Sequence, residues 1–159
     1  MIQHHLQMVL YCPQIPPNTG CIARTCAATN TVLHLVKPIG FDISEKAVKR
    51  AGLDYWHLVK LQTHESWQDF LIYKSTQPGR LLAFSPAGLV NYQKFVNFTD
   101  DWIVHGRESD GLPKEIMKQC DFILHIPMFN PGVRSLNLAV SASLSIFEAI
   151  SQISNKISN

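Results

Sequence analysis

The chain has 159 residues, of which 46% are hydrophobic, and it carries a formal net charge of +2 with an isoelectric point near 8.4. This size predicts a single domain over residues 1–159 with a buried core, and the near-balanced charge neither requires nor excludes a nucleic-acid partner. We expect a cytoplasmic protein without a membrane partner, because the sequence has no secretory signal pattern and no apolar run near the roughly 18 residues of a membrane span.

Short apolar, β-branched runs alternate along the chain with longer segments of helical periodicity. This alternation predicts an α/β fold in which a mainly parallel sheet carries helices on both faces. The predicted strands are residues 8–11, 32–36, 57–61, 81–84, 102–104 and 122–126. The predicted helices are residues 19–29, 44–51, 66–74, 113–118 and 136–153.

The last predicted helix has large apolar side chains at a spacing near 3.6 residues, flanked by alanines and serines. These apolar positions are Leu136, Val140, Leu144, Phe147 and Ile150. Small flanking residues permit close approach of another element, so we expect this helix to pack tightly. An ordinary core helix accounts for the pattern by itself.

Several common site signatures are absent from the sequence. The cysteines form no C-x-x-C pair and are expected to be reduced thiols, and the seven histidines show no zinc-ligand spacing, so no metal site is predicted. The chain also lacks G-x-S-x-G, the P-loop pattern and a G-x-G-x-x-G after its first strand. Hydrolase, P-loop and Rossmann dinucleotide functions therefore lose their usual support.

Three segments with small, polar or charged residues each follow a predicted strand: residues 15–27, 106–113 and 130–138. In open α/β sheets, ligands bind outside the carboxyl ends of the strands, so these segments can converge on one crevice. In the third segment a Pro-Gly turn opens onto the last helix, where Ser135 and Asn137 can hydrogen-bond the free N–H groups at its start. Taken alone, that segment favours a well-capped helix over a ligand site.

Taken in order, the three segments resemble the three sequence motifs of the SPOUT family of RNA methyltransferases, over roughly residues 8–150. Residues 37–41 (KPIGF) and 49–55 (KRAGLDY) are similar to the minimal bacterial members that methylate the wobble nucleotide of tRNA. The resemblance implies 2′-O-methylation of the ribose of cytidine or modified uridine at position 34, with S-adenosylmethionine as cofactor and S-adenosylhomocysteine as product. It also implies a C-terminal deep trefoil knot, and a homodimer formed by the first and last helices.

The resemblance leaves two alternatives open. One is methylation of a ribose at another position of tRNA or rRNA. The other is a knotted RNA-binding protein that has lost catalysis, which is suggested by two departures from the second motif: His105 stands where the family has an aromatic residue, and Asp110 stands where it has an arginine. Arg107 could supply the missing positive charge from a neighbouring position.

The family motifs place the candidate catalytic residues at Asn18, Arg24, Glu108, Ser135 and Asn137. A guanidinium stays protonated in proteins, so Arg24 is suited to stabilising a developing alkoxide or binding a phosphate rather than to accepting a proton. Asn18 could cap the first helix or contact the ribose. Glu108 could orient Arg24 or the ribose, or act only as a charge near the helix predicted to start at residue 113.

The resemblance assigns the cofactor to loops that contain Leu82, Phe84, Gly106, Ile126, Ser135 and Leu136. For the anticodon stem-loop of tRNA, the candidates are Lys46, Lys49, Arg50 and Tyr55. The three cations lie at i, i+3 and i+4 on a predicted helix and share one face. A merely solvated face has the same pattern, but the aromatic residues that follow favour binding of phosphates and stacking of exposed bases.

Overall fold

The computed structural model describes residues 3–44 and 54–157. Seven strands form one sheet in the order β3-β2-β1-β6-β4-β7-β5, and each neighbouring pair runs parallel. The strands are β1 Gln7–Tyr11, β2 Val32–Val36, β3 Leu61–His64, β4 Leu81–Phe84, β5 Val90–Asn91, β6 Trp102–His105 and β7 Phe122–His125. The helices are α1 Pro16–Thr29, α2 Trp67–Ser75, α3 Lys114–Met117 and α4 Leu138–Ile157. The predicted α/β class with a mainly parallel sheet is confirmed.

The sheet has a separate apolar core on each face. Neighbouring residues of a strand point to opposite faces, so Met8 packs with Ile22 of α1 and Ile146 of α4, whereas Val9 packs with Phe70 of α2. Helix α3 contributes to the same core as α2. The helices therefore cover both faces, as the sequence predicted, and the carboxyl ends of the strands remain open to the loops that follow them.

The third strand lies further along the chain than predicted. Residues 57–61 were expected to be extended, but Trp56–Leu58 forms a 3₁₀ turn and β3 runs over Leu61–His64. The position of the strand is fixed by His64, whose Nε2 lies 3.0 Å from Nδ1 of buried His34 on β2. Because β3 is at the edge of the sheet and exposes Gln62 and Thr63, its sequence lacks the apolar pattern of a buried strand.

Other boundaries differ by a few residues. Helix α1 begins at Pro16, three residues earlier than predicted, because proline has the backbone conformation of the first helical turn and needs no N–H partner there. Helix α4 begins two residues later than predicted and continues to Ile157. The two-residue strand β5 was not predicted, since it is too short to show a pattern. Apart from Ser44, the predicted helix 44–51 lies outside the described residues.

The large apolar side chains of α4 do not all face the core. Val140, Leu144 and Phe147 are 48%, 38% and 55% exposed, while Ala142 and Ala149 are fully buried. The small side chains bring α4 close to α1 and the sheet. Ile146 and Ile153 also face the core, while the three exposed side chains lie on the outer side of the helix. The interpretation of this stripe as an ordinary core face is therefore wrong. Val140, Leu144 and Phe147 are called the outer stripe below.

Candidate active site

The three loops predicted to converge do meet at one crevice, beyond the carboxyl ends of the strands. Its volume is about 410 Å³. The first loop contributes Asn18, the second contributes residues 106–111, and the third contributes residues 135–138, with residues 84–86 after β4 forming a further wall. The sequence-based expectation of one crevice shared by the three segments is confirmed.

One end of the crevice narrows into a smaller cavity of about 70 Å³. Phe84 and His105 line both spaces, and the narrow end adds Ile126, Met128 and Arg134. Its wall is therefore mainly apolar and aromatic, with one arginine, whereas the wide end contains the polar groups of the first and second loops. The wide end is suited to a polar substrate and the narrow end to a flat, partly apolar ligand.

A chain of hydrogen bonds joins the three loops at the wide end. The Glu108 carboxylate accepts from the N–H groups of Gln14 at 2.8 Å and Ile15 at 3.0 Å, and from Nδ2 of Asn18 at 3.3 Å. Asn18 Oδ1 accepts in turn from Nδ2 of Asn137 at 3.0 Å. The Glu108–Asn18–Asn137 chain therefore fixes three predicted site residues relative to one another.

The same asparagine of the third loop caps α4. Asn137 Oδ1 accepts from the N–H groups of Ala139 at 2.8 Å and Val140 at 3.4 Å, which have no partner inside the helix. Asn18 does not cap α1, because its side-chain amide is used by the hydrogen-bond chain. Ser135 lines the crevice, and its hydroxyl makes no hydrogen bond within the described part of the chain.

Glu108 has a different partner from either one predicted. Its two oxygens bind N–H groups at the entry to α1, where a negative charge is favourable, and not the start of α3. It forms no hydrogen bond or ion pair with Arg24 in the described residues, since Arg24 lies against Tyr55 on another side of α1. The carboxylate therefore ties the second loop to the first.

Arg107 and Asp110 close the second loop. Arg107 Nε and Nη2 donate to the two Asp110 oxygens at 2.7 and 2.6 Å, and these bonds, with one from Ser109, lower the pKa of Asp110. The backbones of Arg107 and Gly111 exchange two hydrogen bonds across the loop, with Gly111 at φ +70°. Arg107 is therefore neutralised by Asp110 and does not simply replace a missing cation.

Arg24 lies outside the crevice of its own chain. Six residues separate it from Asn18, a rotation of about 240° around a helix, so the two side chains leave α1 in different directions. The Arg24 guanidinium lies 4.5 Å from the ring centroid of Tyr55, whose hydroxyl donates to the Gly20 carbonyl at 2.8 Å. Burial raises the pKa of Tyr55, although the nearby Arg24 opposes this.

The remaining RNA candidates cannot be placed together. Lys46, Lys49 and Arg50 lie outside the described residues. Tyr55 is half-buried against α1, so its ring is occupied by Arg24 and is not a free stacking surface. Lys37, the first residue of KPIGF, forms an ion pair with Glu65 in which Nζ lies 2.7 Å from Oε1.

Most predicted cofactor residues line the crevice: Phe84, Gly106, Ile126, Ser135 and Leu136. Leu82 does not, because it is fully buried with Tyr92 and Leu124. The sequence reasoning missed Ser141, which lies four residues after Asn137 and so on the same side of α4, a spacing that would have revealed it. It also missed Met128, for which no local pattern exists, and Arg134, although the third segment contains it.

Within residues 3–44 and 54–157, no three histidine, cysteine, aspartate or glutamate side chains are grouped so as to hold a metal ion. All four cysteines are free thiols, and burial raises the pKa of Cys26 and of Cys120 to about 12. No helix in this part of the chain is both long and apolar enough to cross a membrane.

Residues 5–147 match the model of the SpoU rRNA Methylase family. The chain belongs to this family. The resemblance of its three motifs to RNA methyltransferases is thereby confirmed, and the crevice occupies the place where those motifs meet.

Members of the family with similar length align over almost the whole chain. A protein of Synechocystis sp., named as a candidate tRNA (cytidine(34)-2′-O)-methyltransferase, is 49% identical over 148 residues, which are 93% of this chain and 97% of that protein. The tRNA (cytidine(34)-2′-O)-methyltransferase of Saccharophagus degradans is 42% identical, covering 92% and 94%. A solved structure described in terms of 2-OH methylation of C/U34 on tRNA is 42% identical, with TM-score 0.88 and coverage of 97% and 99%.

Proposed function

We propose that this protein catalyses S-adenosylmethionine-dependent 2′-O-methylation of the ribose at wobble position 34, cytidine or modified uridine, in tRNA. The relatives of similar length support the reaction and the substrate. For this protein, the proposal rests on the hydrogen bonds that link Glu108, Asn18 and Asn137. They join all three family motifs at one crevice.

The crevice fits the proposed cofactor. Its volume lies within the range of roughly 300–1,000 Å³ typical of small-molecule sites. Gly106 lets the second loop close tightly beside the crevice, since a Cβ there would lie 2.2 Å from the Gly111 carbonyl carbon. When bound, S-adenosylmethionine supplies a methyl group on a sulfonium cation. Phe84, Gly106, Ile126, Ser135 and Leu136 would hold it.

The polar groups of the wide end would position the ribose. Asn18 and Asn137 are fixed by their mutual hydrogen bond and by Glu108, so their side chains keep one orientation without the target. Such preorganisation lowers the entropic cost of aligning a hydroxyl with a methyl group. We assign Arg24 the role of orienting the target and stabilising the charge that develops on the 2′-oxygen.

The position of Arg24 outside its own crevice supports a working unit of two chains. Thr25, next to Arg24, contacts Ser143 of α4 through hydroxyls 3.1 Å apart, so Arg24 is close to the outer stripe. A homodimer formed through α1 and α4 would cover this stripe and bring Arg24 towards the partner's crevice. Exposed apolar side chains on one helix face are typical of such an interface.

Sedimentation at low micromolar concentration tests the dimer. We expect a mass about twice 17.9 kDa, and a monomer for Phe147→Asp. Ile72→Asp is the matched control, because Ile72 is 60% exposed on α2, on the other face of the sheet, and should leave the dimer intact. A monomeric protein that still methylates tRNA would contradict the shared site.

Three further properties are proposed from the family resemblance. The 159 residues form one domain, the C-terminal segment forms a deep trefoil knot, and the protein works in the cytoplasm on the anticodon stem-loop. The single parallel sheet supports the first of these. An experimental electron-density map traced through residues 45–53 and 130–159 would test the knot.

The proposed reaction is tested with purified protein, isotopically labelled S-adenosylmethionine and total tRNA lacking 2′-O-methylation at position 34. Mass spectrometry of the digested tRNA should find the label on the ribose of nucleotide 34, with or without a chelator. Label at another ribose would support the alternative substrate. Cofactor binding without label transfer would support an RNA-binding protein that has lost catalysis. If calorimetry detects no heat of cofactor binding, the proposed methyltransferase function is refuted.

A further inference from the structure

His105 is a buried polar side chain in the wall of the crevice. It is 3% exposed, and its ring stacks on Phe84 with centroids 4.9 Å apart and an interplanar angle of 23°. Its Nε2 lies 3.0 Å from the hydroxyl oxygen of Ser145 on α4. The proposed reaction gives this histidine no role.

The hydrogen bonds of Ser145 determine which ring nitrogen carries the proton. The Ser145 hydroxyl donates to the Ala142 carbonyl at 2.8 Å, which leaves its oxygen as an acceptor for His105. Both bonds form only when His105 Nε2 is protonated. Nδ1 is then an acceptor, and it has no hydrogen-bond partner within the described residues.

The ring is also kept neutral. Burial lowers the pKa of His105 to about 3. A neutral ring does not repel a cationic ligand in the same crevice, and its unprotonated nitrogen attracts N–H and O–H groups while repelling carboxylates. The Nδ1 atom is not sealed off from solvent, so a ligand in the crevice that His105 lines can donate a hydrogen bond to it.

We infer that His105 Nδ1 accepts a hydrogen bond from the nucleoside part of the methyl donor and positions it in the crevice. The inference rests on the proposed function. The neighbouring Phe84 ring forms a flat wall suited to a nucleoside base, which favours the nucleoside over the charged amino-acid tail as the source of the N–H or O–H. His105 is thus a positioning residue for the donor.

Calorimetry with two probes tests the inference: S-adenosylhomocysteine, and 5′-methylthioadenosine, which lacks the amino-acid tail. His105→Phe keeps a ring beside Phe84 but removes the acceptor, so both probes should bind about two- to tenfold more weakly, the effect of one lost hydrogen bond. Unchanged affinity would overturn the inference. A loss confined to S-adenosylhomocysteine would overturn the assignment to the nucleoside.

His105→Asn separates the acceptor from packing against α4. Its amide oxygen can take the place of Nδ1, but, like His105→Phe, it loses the bond to Ser145. We expect His105→Asn to recover most of the affinity for both probes. Equal losses in the two variants would show that the Ser145 bond alone matters and would overturn the inference.

Nitrogen-15 NMR of the histidine rings gives a direct signature. Nδ1 of His105 should have the resonance of an unprotonated nitrogen in the free protein, and it should shift on saturation with S-adenosylhomocysteine. A protonated Nδ1, or saturation without a shift, would refute the inference while leaving the proposed function standing. If the wild-type protein binds neither probe, the proposed function itself fails.

Discussion

Two arginine–aspartate pairs, one at each end of the sheet, have similar geometry but different surroundings. At the amino end, Arg80 precedes β4 and donates to Asp101, which precedes β6, at 2.9 and 2.7 Å. At the carboxyl end, Arg107 donates to Asp110 at 2.7 and 2.6 Å. The Asp101 side chain is fully buried, whereas that of Asp110 is 57% exposed.

The surroundings show what each pair does. Asp101 also accepts from the Phe98 N–H, and the Arg80 guanidinium lies 4.1 to 5.5 Å from the ring centroids of three phenylalanines. The amino-end pair is therefore fully hydrogen-bonded around a buried carboxylate, and it holds the ends of two central strands. The carboxyl-end pair borders the crevice, where it sets the shape of a loop. Stability should depend on the first pair and function on the second.

Replacing Arg80 should produce the largest effect. Arg80→Ala leaves the Asp101 carboxylate buried without its cation, which should lower the free energy of unfolding by about 3–5 kcal/mol, as measured by urea denaturation. Arg107→Ala, the matched control, should change stability little, because exposed pairs contribute little. Asp101→Asn added to Arg80→Ala should recover part of the loss. Equal losses in Arg80→Ala and Arg107→Ala would contradict the comparison.

Arg24 extends the comparison to an arginine without a carboxylate partner in the described residues. If it stabilises the developing oxyanion, Arg24→Ala should lower turnover by on the order of a hundredfold, with cofactor affinity nearly unchanged. Single-turnover methylation at saturating tRNA, with calorimetry for the cofactor, measures both. Tyr55→Phe is the control, since it keeps the ring near the guanidinium and loses only the bond to Gly20. Near-full turnover in Arg24→Ala would make Arg24 structural.

The sequence predicted the crevice well because the carboxyl ends of parallel strands lie at one edge. Once β1, β6 and β7 were recognised as strands, the loops after them had to meet. Periodicity also gave the class of the fold, since the buried strands are short, apolar and β-branched.

The partners of the polar side chains could not be predicted, because they depend on contacts between distant residues. Glu108 binds Gln14 and Ile15, more than ninety residues away in sequence, and nothing local to Glu108 indicates this direction. The edge strand β3 carries polar residues that hide its pattern. The outer stripe of α4 has the same periodicity as a core face, so spacing could not distinguish side chains buried in the core from side chains exposed on the outer side of the helix.

Acid should destabilise the fold through one buried histidine beside the crevice and one in the opposite core. Burial lowers the pKa of both His105 and His34 to about 3, with the charge of His64 also acting on His34. The unfolded chain therefore takes up protons that the folded chain does not as the pH falls from 6.5 towards 3. Stability should decrease over this range by up to about 1.4 kcal/mol per pH unit for each histidine.

Urea unfolding of wild type and His105→Phe between pH 7 and pH 5 measures this effect. The variant should lose stability less steeply as the pH falls, because residue 105 then takes up no proton in either the folded or the unfolded state. His34→Phe should show the same shallower pH dependence as His105→Phe. The His34 ring lies on β2 near Trp102, on the opposite face of the sheet. Slopes equal to that of the wild type in both variants would show that these histidines are not the acid-sensitive groups.

Replacing Asn137 should give the smallest effect but the most selective test, because this residue contributes both to the stability of α4 and to the geometry of the crevice. Its Oδ1 caps α4 and its Nδ2 binds Asn18. Asn137→Ala removes both contacts and should lower the free energy of unfolding by about 1 kcal/mol.

Asn137→Ser retains a capping oxygen but has no N–H to donate to Asn18, so its stability should stay near that of the wild type while turnover falls several-fold. Urea denaturation and tRNA methylation measure the two properties. If Asn137→Ser were as active as the wild type, the hydrogen bond from Asn137 to Asn18 would have no role in catalysis. The contribution of Asn137 would then be to stability alone, like that of the Arg80–Asp101 pair at the amino end of the sheet.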